Sequence, residues 1–296
     1  MGGSLYPLTA GQAVGWNGLH IPPINESILM VGPGRPFSTI SNAVSACPDG
    51  GTIYVFPKYD GTGYAETVTI ARGKDNITII GVGARGSVFI DPTTEDAGGM
   101  VVNGNDCTIV NIGIAAEDDT SGNIALLVTG ARFRAYGCKI EGGDEQVRIG
   151  PITVALGAGS GIETGADFLF EDCEICWGAT GIVLNCTDYG AVTQGFIQRC
   201  RFHNLTSKHI TERTGTGGSA AVGFRNIEIS DCVFDDAEGG TAPTNYIDLN
   251  ADNGNDGIVT RNSFPTAINS GLNLVSTALH WVCNYHTGGV STGQPS

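Results

Sequence analysis

Asn226–Phe234 reads apolar, any, apolar, two polar, Cys, any, apolar, and the chain keeps rewriting it. Phe133–Ile140, Phe168–Ile175 and Gly195–Phe202 follow the same form, and Gly257–Phe264 repeats it with Asn in place of Cys. Looser copies stand at Ile77–Gly83, Cys107–Ile114 and Leu279–His286. Alternation with period two predicts a short strand, and the polar pair before the Cys/Asn slot predicts a bend into a second strand. Aligned on that slot, the copies fall at Val82, Ile112, Cys138, Cys173, Cys200, Cys232, Asn262 and Asn284, spaced 22 to 35 residues apart.

A period in that range marks a stacked repeat array. Period-two alternation excludes helical repeats, and one repeat cannot bury its own inward row without neighbours above and below. The prediction is an all-β fold, a right-handed parallel β-helix built as a single-stranded solenoid. Each coil holds about three short strands and rises about 4.8 Å onto the next. Met100–Val102, Ile124–Val128, Ile152–Leu156, Ile182–Leu184 and Tyr246–Leu249 are predicted as further strands of the coils. The segments 117–122, 141–145, 211–219 and 235–240 are predicted as external loops, and 45 glycines supply the turns.

Phe37–Cys47 is the one predicted helix, with Phe37, Ile40, Ala43, Val44 and Cys47 on one face and Pro48 through Gly51 as its stop. Laid over the first coil, it would cover that coil's unpaired edge. Three segments follow: an extended arm at 1–36, the capping helix with the β-helix at 37–286, and a polar extended tail at 287–296. The arm mixes Pro and Gly with Leu5, Tyr6, Val14, Trp16, Leu19 and Ile21, richer in apolar residues than a disordered tail. It either packs on its own helix end or lies in a partner's groove.

The net charge of −15 opposes nucleic acid and anionic membrane as partners, and no stretch is long and apolar enough for a membrane span. Residues 1–7 lack the basic start and apolar core of a signal peptide, so synthesis in a cytoplasm is expected. Nine cysteines, five of them at inward repeat positions (107, 138, 173, 200, 232), read as buried thiols and not as a disulfide framework.

Candidate chemistry is sparse. Cys173, Cys176, Cys200 and His203 have the composition of a Cys3His zinc set, but residues three apart on a strand face opposite ways. Asp248–Asp256 has the look of a calcium loop without its sixth-position Gly or its final Glu, where Val259 stands. Glu141, Asp144, Glu145, Glu163, Glu212, Asp235, Asp236 and Glu238 are the right type for glycoside hydrolysis, yet spacing singles out no pair. None of the five His has a nucleophile partner visible in sequence, and Trp16, Trp177 and Trp281 are too far apart for a sugar-stacking strip. No cofactor and no metal are expected.

Phe37-Ser-Thr-Ile40, Ala43-Val44, Pro48, Ile53-Tyr-Val55, Gly63-Tyr-Ala-Glu66 and Lys74-Asp-Asn-Ile77 with Gly81 and Gly83 resemble the opening of pectin methylesterases. More broadly the chain resembles the pectin-lyase-like right-handed β-helix superfamily. That superfamily includes pectin and pectate enzymes, polysaccharide-cleaving phage tailspikes and non-enzymatic phage head and tail proteins. The esterases use two aspartates, two glutamines and an arginine. Asp167-Phe-Leu-Phe170 echoes one of their elements, which makes Asp167 the one weak catalytic candidate. Glu171 and Asp172 depart from it, Gln146 and Gln194 stand outside the motif, and no Leu-Gly-Arg-Pro-Trp element follows. The expectation is therefore a non-catalytic bacteriophage structural protein, a capsid decoration (cement) protein or a head or tail spike, located in the virion. By resemblance it would be a homotrimer whose arm anchors it on the major capsid or another virion protein. The alternatives are a polysaccharide-active enzyme (depolymerase, lyase or esterase) and a module that binds a host polysaccharide without turnover.

Overall fold

The computed structural model describes residues 27–92, 98–116, 123–149, 167–186, 192–214, 224–236, 243–249, 256–265, 279–286 and 289–291. Ten strands, from Ile28–Val31 to Leu279–Val282, stack in parallel as one sheet, here sheet A. Eleven more form sheet B, where each coil places two strands or one long bent strand. The chain is a parallel β-helix. One contiguous apolar cluster runs along its axis from Val31 to Trp281.

Register fixes the columns. Ile53, Ile79, Ile109, Ala135, Phe170, Ile197, Ile229, Val259 and Trp281 are successive cross-strand partners in sheet A. Three positions beyond each of them from Ile79 onward lies the recurring slot, so Val82 through Asn284 do form a column. Just before the slot the backbone turns through the left-handed region, at Asn111 (φ 53°), Asp172 (55°), Arg199 (51°), Asp231 (55°) and Arg261 (55°). That residue swings the chain from sheet A into sheet B.

From Cys138 onward the slot takes Cys or Asn, and both donate a hydrogen bond. The Cys173 thiol faces the Ala135 carbonyl of the coil before at 3.6 Å, Cys200 faces Phe170 at 3.5 Å, and Cys232 faces Ile197 at 3.4 Å. Asn262 and Asn284 place Nδ2 on the Ile229 and Val259 carbonyls, each at 2.9 Å. Burial pushes the Cys138 and Cys200 thiols well up, which keeps them protonated donors. Cys107 is also inward and buried, but it partners Phe133 at the opposite end of the sheet A strands and does not join this column.

Further along the axis the core becomes aromatic. Phe202, Phe234 and Phe264 stack at 4.9 and 4.8 Å between ring centroids. His209 lies within this stack, 6.0 Å from Phe202, 5.7 Å from Phe234 and edge-on to Tyr246 at 5.1 Å.

Several expectations change in detail. Ile28–Val31, read as part of the arm, pairs with Thr52–Val55 and is the first strand of the stack. Its four apolar residues lie before the helix and lack the repeat slot, so the pattern did not mark them. The helix is shorter than predicted, Ile40–Ala46, with Thr39 capping its first turn and Ile40, Ala43 and Val44 buried. Phe37 instead bridges Val31. Two carboxylate oxygens of Glu66 accept the Ile40 and Ser41 amides, at 2.7 and 2.8 Å, and tie the helix start to the first coil. Glu145–Ile149, placed in part in a loop, is a strand. Glu174–Cys186 and Arg201–Thr214 are single strands that bend at left-handed Trp177 and Asn204. Gly289–Ser291, assigned to the tail, turns back antiparallel on Asn284–His286. Leu5, Tyr6, Val14, Trp16, Leu19 and Ile21, Glu163 and Glu238, and Ile152–Leu156 lie outside the described residues. Among the described residues no helix is long and apolar enough to cross a membrane.

Candidate functional site on the outer face of sheet B

Strand pleating sends Ile175 into the core and turns Glu174 and Cys176 outward together. Pairing then sets Lys139 and Glu141 on one side of them and Arg201 and His203 on the other. Cys176 is buried, yet it stands outside the core cluster; the long side chains around it cover it. Its sulfur lies 3.9 Å from Glu141 Oε2 and 3.9 Å from Glu174 Oε1. His203 Nε2 is 2.9 Å from Glu174 Oε1, and Asn204 Nδ2 is 3.1 Å from His203 Nδ1. Lys139 pairs with Glu141. Trp177, 47 % exposed, sets its ring edge-on to His203 at 6.5 Å.

Burial chiefly, with Glu141 and Glu174 adding to it, pushes the Cys176 thiol up to about 12, against the opposing pull of Lys139. A thiol held protonated is a poor nucleophile. The Glu174, Cys176 and His203 donor atoms lie within 4.8 Å of one another, which is a ligand-like cluster. The other carboxylate of the cluster, Glu141, is paired with Lys139.

The zinc set considered from sequence is split by the pleat, as its spacing implied. Cys173 and Cys200 point into the core column while Cys176 and His203 face out as register partners. Glu174 was missed; its signal was its place two residues before Cys176, on the same face. Asp167 sits at a left-handed corner (φ 58°) with Oδ1 bound to Arg134 at 2.8 Å. Asp106 and Arg132 turn the equivalent corner in the two preceding coils, bound to each other at 2.6 Å. The two ends of the calcium-like segment are also engaged, Asp248 by Lys208 and Asp256 by the Asn226 amide. Of the other acids, Glu145 binds Arg148 at 2.6 Å and Asp235 binds Arg201 at 2.8 Å. Gln146 donates to the Gly142 carbonyl, and Gln194 is the exposed left-handed corner one coil beyond that of Asp167.

The stacked coils, the parallel register and the short helix at the first coil decide the architecture. This is the pectin-lyase-like right-handed parallel β-helix fold. Solved structures with the same fold include a pectin methylesterase from Aspergillus niger, 16 % identical over 88 % of this chain and 84 % of that one, TM-score 0.57. The carrot pectin methylesterase is 17 % identical over 90 % and 84 %, TM-score 0.58. An alginate lyase from Paenibacillus is 11 % identical over 84 % and 92 %, TM-score 0.54. Identities this low carry the fold and not the activity. No family model and no curated protein matches the sequence.

Proposed function

We propose that the chain is a non-catalytic structural protein of a bacteriophage particle, a capsid decoration protein or spike, that assembles side by side as a homotrimer. The observation that carries this reading is the outward face of sheet A in its first four strands. Ile28, Thr52, Thr78 and Thr108 form one outward row, and Met30, Tyr54, Ile80 and Val110 form the other. None of these eight residues is charged, on a chain whose net charge is −15. Two copies repel wherever their acidic surfaces meet. This face carries no such charge, and its apolar row gives two copies something to bury. Tyr136 continues that row by one further coil.

The acids support the same reading. Asp106, Asp167, Asp172, Asp231 and Asp235 are each paired with an arginine, an arrangement that stabilises corners and coil contacts. By resemblance, the part of the 1–36 arm that precedes Ile28 would anchor the trimer on the major capsid or another particle protein. Sedimentation equilibrium tests the oligomer, and co-sedimentation with empty shells tests the anchor. A monomeric full-length chain that ignores shells would overturn the reading.

A second reading, a polysaccharide-active or polysaccharide-binding protein, is favoured by exposed Trp177 beside Glu174 and His203, an aromatic face next to polar groups. Its support also includes the pectin- and alginate-acting enzymes that share the fold. Product release from a panel of methylated pectin, polygalacturonate, alginate and bacterial capsule polysaccharides separates it from the first.

A further inference from the structure

We propose that Glu174, Cys176 and His203 form a binding site for a borderline divalent transition metal of the zinc type, with Glu141 as the fourth ligand. The site lies on the outer face of sheet B and bridges adjacent coils. Glu174 and Cys176 come from one coil and His203 from the next, so a bound ion would clip the two strands together.

Geometry carries the assignment. Tetrahedral zinc with bond lengths of about 2.0–2.3 Å places its ligand atoms about 3.2–3.8 Å apart. His203 Nε2 and Glu174 Oε1 stand at 2.9 Å, and Cys176 Sγ is 3.9 Å from both Glu174 Oε1 and Glu141 Oε2. The Glu174, Cys176 and His203 donor atoms already lie within 4.8 Å of one another, so side-chain rotations close them onto one ion and a larger swing brings in Glu141, while the backbone is already held by parallel pairing on both flanks. The donor set of one thiolate, one imidazole and carboxylates suits zinc or cobalt and is poorly matched to calcium, which takes oxygens alone.

The surroundings complete it. Asn204 faces His203 Nδ1 at 3.1 Å; with its amide turned over, its oxygen accepts the Nδ1 proton and leaves Nε2 free for the ion. Lys139 is the cation that now neutralises Glu141, and its flexible side chain can move to solvent when the ion takes that role. Binding displaces the Cys176 thiol proton, so metal uptake releases a proton to solution.

The test uses the full-length chain carrying Cys283→Ser, because Cys283 is an exposed thiol that would bind metal by itself. After chelator treatment the protein is titrated with cobalt(II) chloride. The expected result is one equivalent bound, with tetrahedral d–d bands and a thiolate-to-cobalt charge-transfer band. Cys176→Ser should lose the charge-transfer band, and His203→Gln should weaken binding by at least about tenfold. Zinc should displace cobalt and raise the melting temperature. Absence of the charge-transfer band in the parent protein, or its survival unchanged in Cys176→Ser, would overturn the site. Should Cys176→Ser fail to fold by circular dichroism, His203→Gln decides, and unchanged cobalt affinity in that variant refutes the proposal.

Discussion

Asn262 stands one coil above Cys232 and serves two backbone groups at once. Its Oδ1 accepts the Cys232 amide proton at 2.9 Å, and its Nδ2 donates to the Ile229 carbonyl at 2.9 Å. Asn262→Ala leaves both groups buried without partners and should cost about 2–4 kcal/mol, read as a lower urea midpoint. Asn262→Cys restores only the donor and should cost about half as much. Equal losses for the two variants would contradict this division of labour.

The buried thiols should be chemically silent. Burial pushes Cys107 up to about 11, and the column thiols are fully enclosed. Iodoacetamide at neutral pH should label exposed Cys283 while Cys107, Cys138, Cys173, Cys200 and Cys232 stay unlabelled until denaturant unfolds the chain. Peptide mapping by mass spectrometry reads the order.

His209 is the weak point of the aromatic core. Both ring nitrogens are buried without a hydrogen-bond partner, and burial chiefly lowers its pKa to about 3. The unfolded chain takes up a proton near pH 6.5 and the folded chain does not. Stability is therefore fully present above that pH and falls as pH drops from about 6.5 towards 3, by roughly 1.4 kcal/mol per unit in that window. His209→Phe, which keeps the ring stack, should raise the urea midpoint at pH 7 and flatten this slope. An unchanged pH profile in the variant would show that other groups set it.

Gly130 should not accept a side chain. A Cβ there would lie 1.9 Å from the Gly104 carbonyl oxygen of the previous coil, and that neighbour is backbone. Gly130→Ala should cost about 1–3 kcal/mol or more, because relief requires two coils to part. Gly61→Ala supplies the contrast for space alone. Nothing lies within 4 Å of its Cβ, so its cost comes from its positive φ of 71°.

The uncharged face of sheet A can be tested without touching the core. Val110→Glu and Ile80→Lys change half-buried outward positions two residues after Thr108 and Thr78. Each should shift the sedimentation profile towards monomer and leave the circular dichroism spectrum unchanged. A parent trimer that survives both substitutions would place the subunit contact elsewhere.

Much of the architecture was legible because one geometric event recurs: an alternating strand, a corner, then a donor side chain. Cys173, Cys200, Cys232 and Asn262 expose that register directly. Ile28–Val31 escaped because it precedes the helix and ends without the slot. The continuous strands at Glu174–Cys186 and Arg201–Thr214 read as interrupted because Trp177 and Asn204 bend them in mid-course. The outer cluster was half visible. Aligning Cys173 with Cys200 already put Cys176 opposite His203, and the pleat removed the two core thiols from the zinc set. Glu174 stands two residues before Cys176 and so shares its outward face, with Lys139 and Arg201 as its cross-strand neighbours.

The left-handed corners at Asp172, Arg199, Asp231 and Arg261 have one more implication. Each such residue is strained by itself and is held by a guanidinium–carboxylate fork to the corner above or below, Arg199 to Asp172 and Arg261 to Asp231. A lone turn of this chain has no adjoining fork to hold these bends. Under a pulling force the protein would come apart like a coil of rope paid out from its ends, with the interior windings the last to yield.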